Sequence, residues 1–297
     1  MTCCGFSWPG GRVTWTYVPT LETASPAVAF VIGAHEAVIR SADFVPGYVV
    51  PDGGQARLLT GPLAGSGPLL PGPPGTQTAW VTTGPPTSPR LSLVTLSGRW
   101  PGPRIRFPPG GPQLPANAVS DGRGDALVTT ASSTVYDTGP GWDRAVPGTI
   151  IAVGPASWLT VTCGALYRHC RYQVIDTADG ARRLLPGAVV DDLYDFGWPP
   201  AGVIAPDGST AALPETGLGG ATTVHLISLR TGITKDLSVR IGAGDSAYQE
   251  SMAWSPDSRW LFVATASGKL VAVNALSDQV QPLAVTLPPV DQVAIRA

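Results

Sequence analysis

Two stretches of this chain repeat one pattern, and that repetition limits the fold more than any other feature. Val203-Ile204-Ala205-Pro206-Asp207-Gly208-Ser209 matches Ala253-Trp254-Ser255-Pro256-Asp257-Ser258-Arg259. Each is followed by a short apolar run, Ala211-Ala212-Leu213 in one and Trp260 to Ala264 in the other. A weaker copy is Ala118-Val119-Ser120-Asp121-Gly122-Arg123-Gly124 before Ala126-Leu127-Val128, and a decayed one is Val153 to Ser157 before Trp158 to Val161. Equivalent positions fall at 121, 156, 207 and 257, spaced by 35, 51 and 50 residues. A period of that size is the mark of a repeat architecture.

A second unit follows the first in three of these copies: strand, tight turn, strand. It spans Tyr172 to Leu185, His225 to Leu237 and Leu270 to Leu283, and Tyr48 to Leu59 has the same form. The turns carry Asp-Gly, Thr-Gly, Ser-Asp and Gly-Gly, residues that accept positive φ in a hairpin. Each unit thus holds about four strands, which is the content of a propeller blade. One small twisted sheet cannot cover its own faces, so the sheets must stack.

The expected fold is therefore all-β, a β-propeller of four-stranded antiparallel blades. Six blades are favoured over seven, near 27–61, 76–108, 115–147, 148–187, 196–239 and 247–285. Residues 62–75 and 108–116 read as Pro/Gly connectors. Residues 1–26 are a tail or partial blade, and 27–297 form one propeller domain. A terminal strand, Val290 to Arg296, is expected to close the ring.

Composition agrees. Gly and Pro supply 36 and 31 of 297 residues, well above about 7% and 5% in average usage. The 43% hydrophobic content argues against disorder. A net charge of −2 with scattered basic residues gives no footprint for nucleic acid. No apolar run is long enough for a transmembrane helix, and the start lacks the charged and apolar regions of a signal peptide.

The blade core Ser/Ala-Pro-Asp-Gly/Ser resembles TolB-like and WD-repeat-like propeller repeats, with matches over about half the chain. The nearest likeness is to extracytoplasmic propeller modules of uncharacterised actinobacterial proteins. The preference for Arg over Lys (only Lys235 and Lys269 are lysine) fits a GC-rich genome. The resemblance implies a fold and leaves activity open.

Cys163 and Cys170 bracket Gly-Ala-Leu-Tyr-Arg-His where two predicted strands join. A disulfide is the favoured reading over free thiols or a metal pair completed by His169, and it implies an oxidising, extracytoplasmic compartment. The cytoplasm is the alternative. Cys3 and Cys4 are read as part of a terminal tail.

No catalytic motif is present, and His35, His169 and His225 lack recognisable partners in sequence. The densest acidic and aromatic cluster, Asp191, Asp192, Tyr194, Asp195 and Trp198, lies in a connector between blades. It is the candidate ligand site, against the plainer reading of a solvated loop. Asp207 and Asp257 are read as structural, holding turn amides. Trp254 and Trp260 are expected between blades, and Arg123-Gly124-Asp125 as a chance adhesion-like tripeptide.

The expected function is a non-catalytic binding or interaction module for a protein or glycan, with no cofactor or metal, and monomeric. A propeller hydrolase or lyase with a central-channel site built from Asp191, Asp192, Asp195 or His225 is one alternative. A spacer domain of a membrane-anchored protein is another.

Overall fold

Apolar and β-branched residues alternate with polar ones in short runs along the chain, which suits strands packed on both faces. The computed structural model describes residues 2–7, 12–17, 27–41, 47–64, 69–84, 90–101, 104–106, 118–129, 134–137, 145–163, 170–186, 202–216, 222–241, 251–283 and 293–295. Strands carry the fold, and the single helical element among these residues is the 3₁₀ turn Gly61–Ala64.

Strands β1 (Thr2–Ser7) and β2 (Arg12–Tyr17) pair as an antiparallel hairpin, with Cys4 opposite Trp15. Six groups of four strands follow. Sheet I is β3 (Ala27–Ile32), β4 (Glu36–Ser41), β5 (Tyr48–Pro51) and β6 (Arg57–Leu58). Sheet II is β7 (Leu69–Pro71), β8 (Thr78–Thr83), β9 (Arg90–Thr95) and β10 (Arg104–Arg106). Sheet III is β11 (Ala118–Ser120), β12 (Ala126–Thr129), β13 (Thr134–Asp137) and β14 (Ala145–Pro147). Sheet IV is β15 (Thr149–Val153), β16 (Ser157–Thr162), β17 (Arg171–Asp176) and β18 (Arg182–Leu184). Sheet V is β19 (Gly202–Ile204), β20 (Thr210–Thr216), β21 (Thr222–Ser228) and β22 (Thr234–Ile241). Sheet VI is β23 (Met252–Trp254), β24 (Trp260–Ala264), β25 (Leu270–Asn274) and β26 (Val280–Pro282). Within each, strands pair antiparallel in chain order. Sheets IV and V are also joined by a short parallel pairing of their first strands, Ala152 with Gly202 and Val153 with Val203.

The antiparallel order puts the turn between the first two strands and the turn between the last two at one end of each sheet, called here the turn end. The same bonds recur there. The residue before the first turn donates its amide to the residue that resumes the strand. This occurs from Gly72 to Thr78, Asp121 to Asp125, Gly154 to Ser157, Ala205 to Thr210 and Ser255 to Trp260. The second turn is tied to the first by Asp52 to His35, Leu96 to Gln77, Thr177 to Ala156, Leu229 to Ser209 and Ala275 to Arg259.

Neighbouring sheets are linked at this end as well. Gly33 N donates to Thr76 O (2.8 Å) between sheets I and II. The Trp80 indole donates to Gly124 O (2.6 Å) between II and III. Arg123 Nη1 donates to Thr177 O (3.0 Å) between III and IV. Asp207 N donates to Ser258 Oγ (3.0 Å) between V and VI, where the Trp254 indole also reaches Val203 O (3.1 Å).

The core is divided among the seams. Phe30, Ile32, Val38 and Val49 of sheet I meet Leu69, Ala79, Val81 and Val94 of sheet II. Trp80 and Leu91 meet Ala126 between II and III, and Leu127 meets Ile150, Trp158 and Ile175 between III and IV. Leu159, Val161, Tyr172 and Val174 of sheet IV pack on Leu213, Ile227 and Leu229 of sheet V. Val224, Leu226, Leu237 and Val239 of sheet V pack on Leu261, Val263, Val271 and Val273 of sheet VI. Successive residues of one strand serve opposite seams, as Trp158 and Leu159 do, because side chains alternate across a sheet.

Two expectations need correcting. Strand β7 falls inside 62–75, where Pro and Gly signalled a connector; two leucines suffice for a three-residue strand that packs Leu69 in the I–II seam. Residues 293–295 of the expected closing strand have no strand assignment, and the rest of Val290 to Arg296 lies outside the described residues.

Candidate functional site

At the other end, the loop end, the chain joins second to third strands and passes from one sheet to the next. Between sheets the connections cover 59–68, 107–117, 185–201 and 242–251, whereas Gly148 (φ 107) alone separates Pro147 from Thr149. The acidic and aromatic cluster Asp191, Asp192, Tyr194, Asp195 and Trp198 belongs to the connection from β18 to β19 and lies outside the described residues.

Cys163 and Cys170 are joined by a disulfide. They directly follow β16 and precede β17 at the loop end, where Thr162 pairs with Arg171. Both half-cystines are half-buried against the IV–V apolar cluster. Cross-linking a loop with a sequence separation of 7 restricts the unfolded chain by about 2.5 kcal/mol in the chain-entropy view. Replacing both cysteines with serine should lower the urea midpoint accordingly, with an unchanged slope. An unshifted midpoint would mean that the β16–β17 ladder alone holds this junction.

A polar line runs along the same seam. His225, buried in β21, sets Nδ1 2.7 Å from Asp236 Oδ1 of β22 and Nε2 3.3 Å from Thr223 Oγ1, two residues back on its own strand. Thr223 and His225 share a face by strand periodicity, and His225 stands directly opposite Asp236 in register. His225 also pairs with Leu213, a residue of the IV–V cluster, so this face looks toward sheet IV. It lies on the outer half of the sheet, two strands away from β19, which makes the contacts with the neighbouring first strands. The sequence held the signal. Folding β21 on β22 about the Arg230-Thr231-Gly232 turn brings residue 225 opposite 236.

The turn aspartates hold backbone. Asp207 Oδ1 accepts from Ser209 N (3.0 Å). Asp257 Oδ1 accepts from the Ser255 hydroxyl (2.6 Å) and Arg259 N (3.2 Å), and the Ser255 bond is the main reason its carboxyl sits below the usual range. The equivalent Asp121 is buried and accepts from Arg123 N (2.7 Å) and Asp125 N (2.9 Å). The Arg-Gly-Asp tripeptide is thus engaged in structural contacts, with Arg123 still exposed. Arg123 bonds sheet IV, Gly124 O receives the Trp80 indole, and partial burial raises the Asp125 carboxyl despite the Arg123 charge. Among the described residues no group of three or more His, Cys, Asp or Glu is arranged to hold a metal ion. Nor is any helix among them long and apolar enough to cross a membrane.

No protein-family model matches the chain, and no curated protein matches it. Solved structures do. Virginiamycin B lyase from Staphylococcus aureus aligns at TM-score 0.54 and 11% identity, over 91% of this chain and 87% of the other. Kuenenia stuttgartiensis hydrazine synthase aligns at 0.50 and 14%, over 87% and 80%. TolB from Acinetobacter baumannii aligns at 0.44 and 16%, over 80% of this chain and 61% of its own. All three are β-propellers. The first two likenesses show that this chain has a fold of the propeller kind; identities this low carry no activity across.

Proposed function

We propose that residues 27–297 form a six-bladed propeller module that binds a protein or glycan through its loop end. Sheets I to VI are its blades, Val290 to Arg296 closes its ring, and residues 1–26 are a partial blade. The observation that carries this reading is that every connection between consecutive sheets runs at one end, the loop end. At the loop end lie the longer inter-sheet connections, and loops set on a rigid scaffold are where binding residues concentrate.

The connection 185–201 leaves at that end beside the disulfide-tied junction of the same sheet. Asp191, Asp192, Tyr194, Asp195 and Trp198 are accordingly the proposed contact residues. The disulfide supports an oxidising, extracytoplasmic compartment. Monomeric behaviour is supported by the outermost strands, whose edges carry Arg57, Pro147, Arg182, Arg183 and Pro282, since charge and proline discourage edge pairing.

The test is to present the full chain to a glycan array and to a displayed-peptide library. A retained glycan or peptide should bind at least ~10-fold more weakly to Trp198→Ala or Asp195→Asn, the scale of a lost anchor residue. The turn-end variants Arg230→Ala and Arg259→Ala should bind it normally. Loss confined to the turn-end variants, or no retained molecule at all, would overturn the reading.

A further inference from the structure

We propose that Thr223, His225 and Asp236 form a hydroxyl–imidazole–carboxylate relay able to carry out acyl transfer on an ester, an activity beyond the binding role. An ionised carboxylate only accepts hydrogen bonds, so the ring nitrogen facing Asp236 must carry the proton. In the neutral ring Nε2 is then an acceptor, and the Thr223 hydroxyl donates to it across 3.3 Å. Asp236, at 2.7 Å, fixes the tautomer and the plane of the ring. That is the arrangement by which a weak nucleophile is activated, and geometry identifies it, not chain order.

The two ends of the relay meet solvent: Thr223 is half-buried and the Asp236 side chain is 79% exposed, while the His225 ring between them is buried. The facing outer strand β18 has only three residues, all exposed, while β22 has eight. In β22 the residues Leu237, Val239 and Ile241 turn to the V–VI cluster, leaving Asp236, Ser238 and Arg240 on the side of His225. Arg240 pairs with Thr223 across a register shift in the β21–β22 ladder. That register puts a cationic residue across from the nucleophile, and positive charge is what an attacked carbonyl oxygen needs as it turns negative.

In the first step Thr223 Oγ1 forms a bond to the ester carbonyl carbon while its proton passes to His225 Nε2. The carbon–oxygen bond to the alcohol then breaks, and the departing oxygen keeps the electron pair and takes that proton. Water repeats the sequence on the threonyl ester, releasing the acid and restoring the hydroxyl. The net change is ester plus water to acid plus alcohol.

An activated aryl ester needs least help in departure, so p-nitrophenyl acetate is the probe. The full chain should release a burst of nitrophenolate equivalent to the protein, followed by slow turnover. The acetyl group should be found on the peptide containing Thr223. Thr223→Val should abolish the burst and Thr223→Ser keep it. His225→Gln should slow acylation by roughly 100-fold, the scale of a lost general base. Asp236 is a positioning residue, so Asp236→Asn should slow acylation with KM unchanged and Asp236→Glu should restore part of the rate. The proposal fails if wild type releases nitrophenolate no faster than buffer. It fails equally if Thr223→Val acylates at the wild-type rate or the acetyl group maps elsewhere. Should His225→Gln not fold, Thr223→Val, nearly identical in shape, still decides the outcome.

Discussion

Gly124→Ala is expected to destabilise the protein by about 3–5 kcal/mol, nearly enough to unfold a marginal domain. Two costs combine. Gly124 has φ 99, a conformation that costs an L side chain roughly 1–3 kcal/mol. A Cβ there would also come within 2.1 Å of the Pro73 Cα and 2.7 Å of the Gly72 carbonyl carbon. These are backbone atoms of sheet II that no rotamer change moves aside, and overpacking of this kind adds ~1–3 kcal/mol. Displacing the turn would also lengthen the Trp80 indole bond to Gly124 O, buried between sheets II and III. Gly53→Ala is the control: it too has positive φ, 64, but nothing lies within 4 Å of its added Cβ. Urea unfolding of the two variants separates the costs. Equal losses would show that backbone conformation alone matters and that the II–III contact is slack.

How much of this was legible in the sequence depends on how local its cause is. The turns at 121, 156, 207 and 257 were visible because a Pro-Asp-Gly turn is fixed by its own residues, and the structure sets all four at the turn end. The equivalent turns at Gly33-Ala34-His35 and Pro73 to Gln77 were missed. There the two corners are tied to each other across the seam, Gly33 N to Thr76 O, and a bond between backbone atoms of different sheets leaves no residue signature. Strand β7 was missed for the same reason, since its three residues are held by pairing with β8. The His225–Asp236 contact needed only hairpin register, which was readable. That the face carrying the pair looks toward sheet IV needed the packing of sheet IV on sheet V, which was not.

The seams also bear on closure. Each of the five seams between consecutive sheets has its own apolar cluster, yet the two end sheets bury residues on their far faces as well. In sheet I, Val38 and Val49 face sheet II, while Ile39 and Val50 point the other way and are only 3% and 5% exposed. In sheet VI, Leu261 and Val263 face sheet V, while Phe262 points away from it and is 5% exposed. A stack that ended at these sheets would leave both faces wet. The ring proposed above would cover them.

Deleting residues 290–297 should therefore cost far more than deleting residues 1–20. Full burial of one such side chain contributes about 1.5–3 kcal/mol. Exposing Ile39, Val50 and Phe262 together would remove roughly 4.5–9 kcal/mol by that measure. The truncated chain should then lose its cooperative unfolding transition, while the chain lacking residues 1–20 should keep one at a lower midpoint. The C-terminal segment is assigned the larger share because, in the proposed ring, it would pin the first and last sheets together. The hairpin β1–β2 is satisfied by its own pairing, from Thr2 opposite Tyr17 to Ser7 opposite Arg12. Equal losses from the two deletions would transfer the closure to that hairpin. They would make it, with the C-terminal segment, a composite seventh blade.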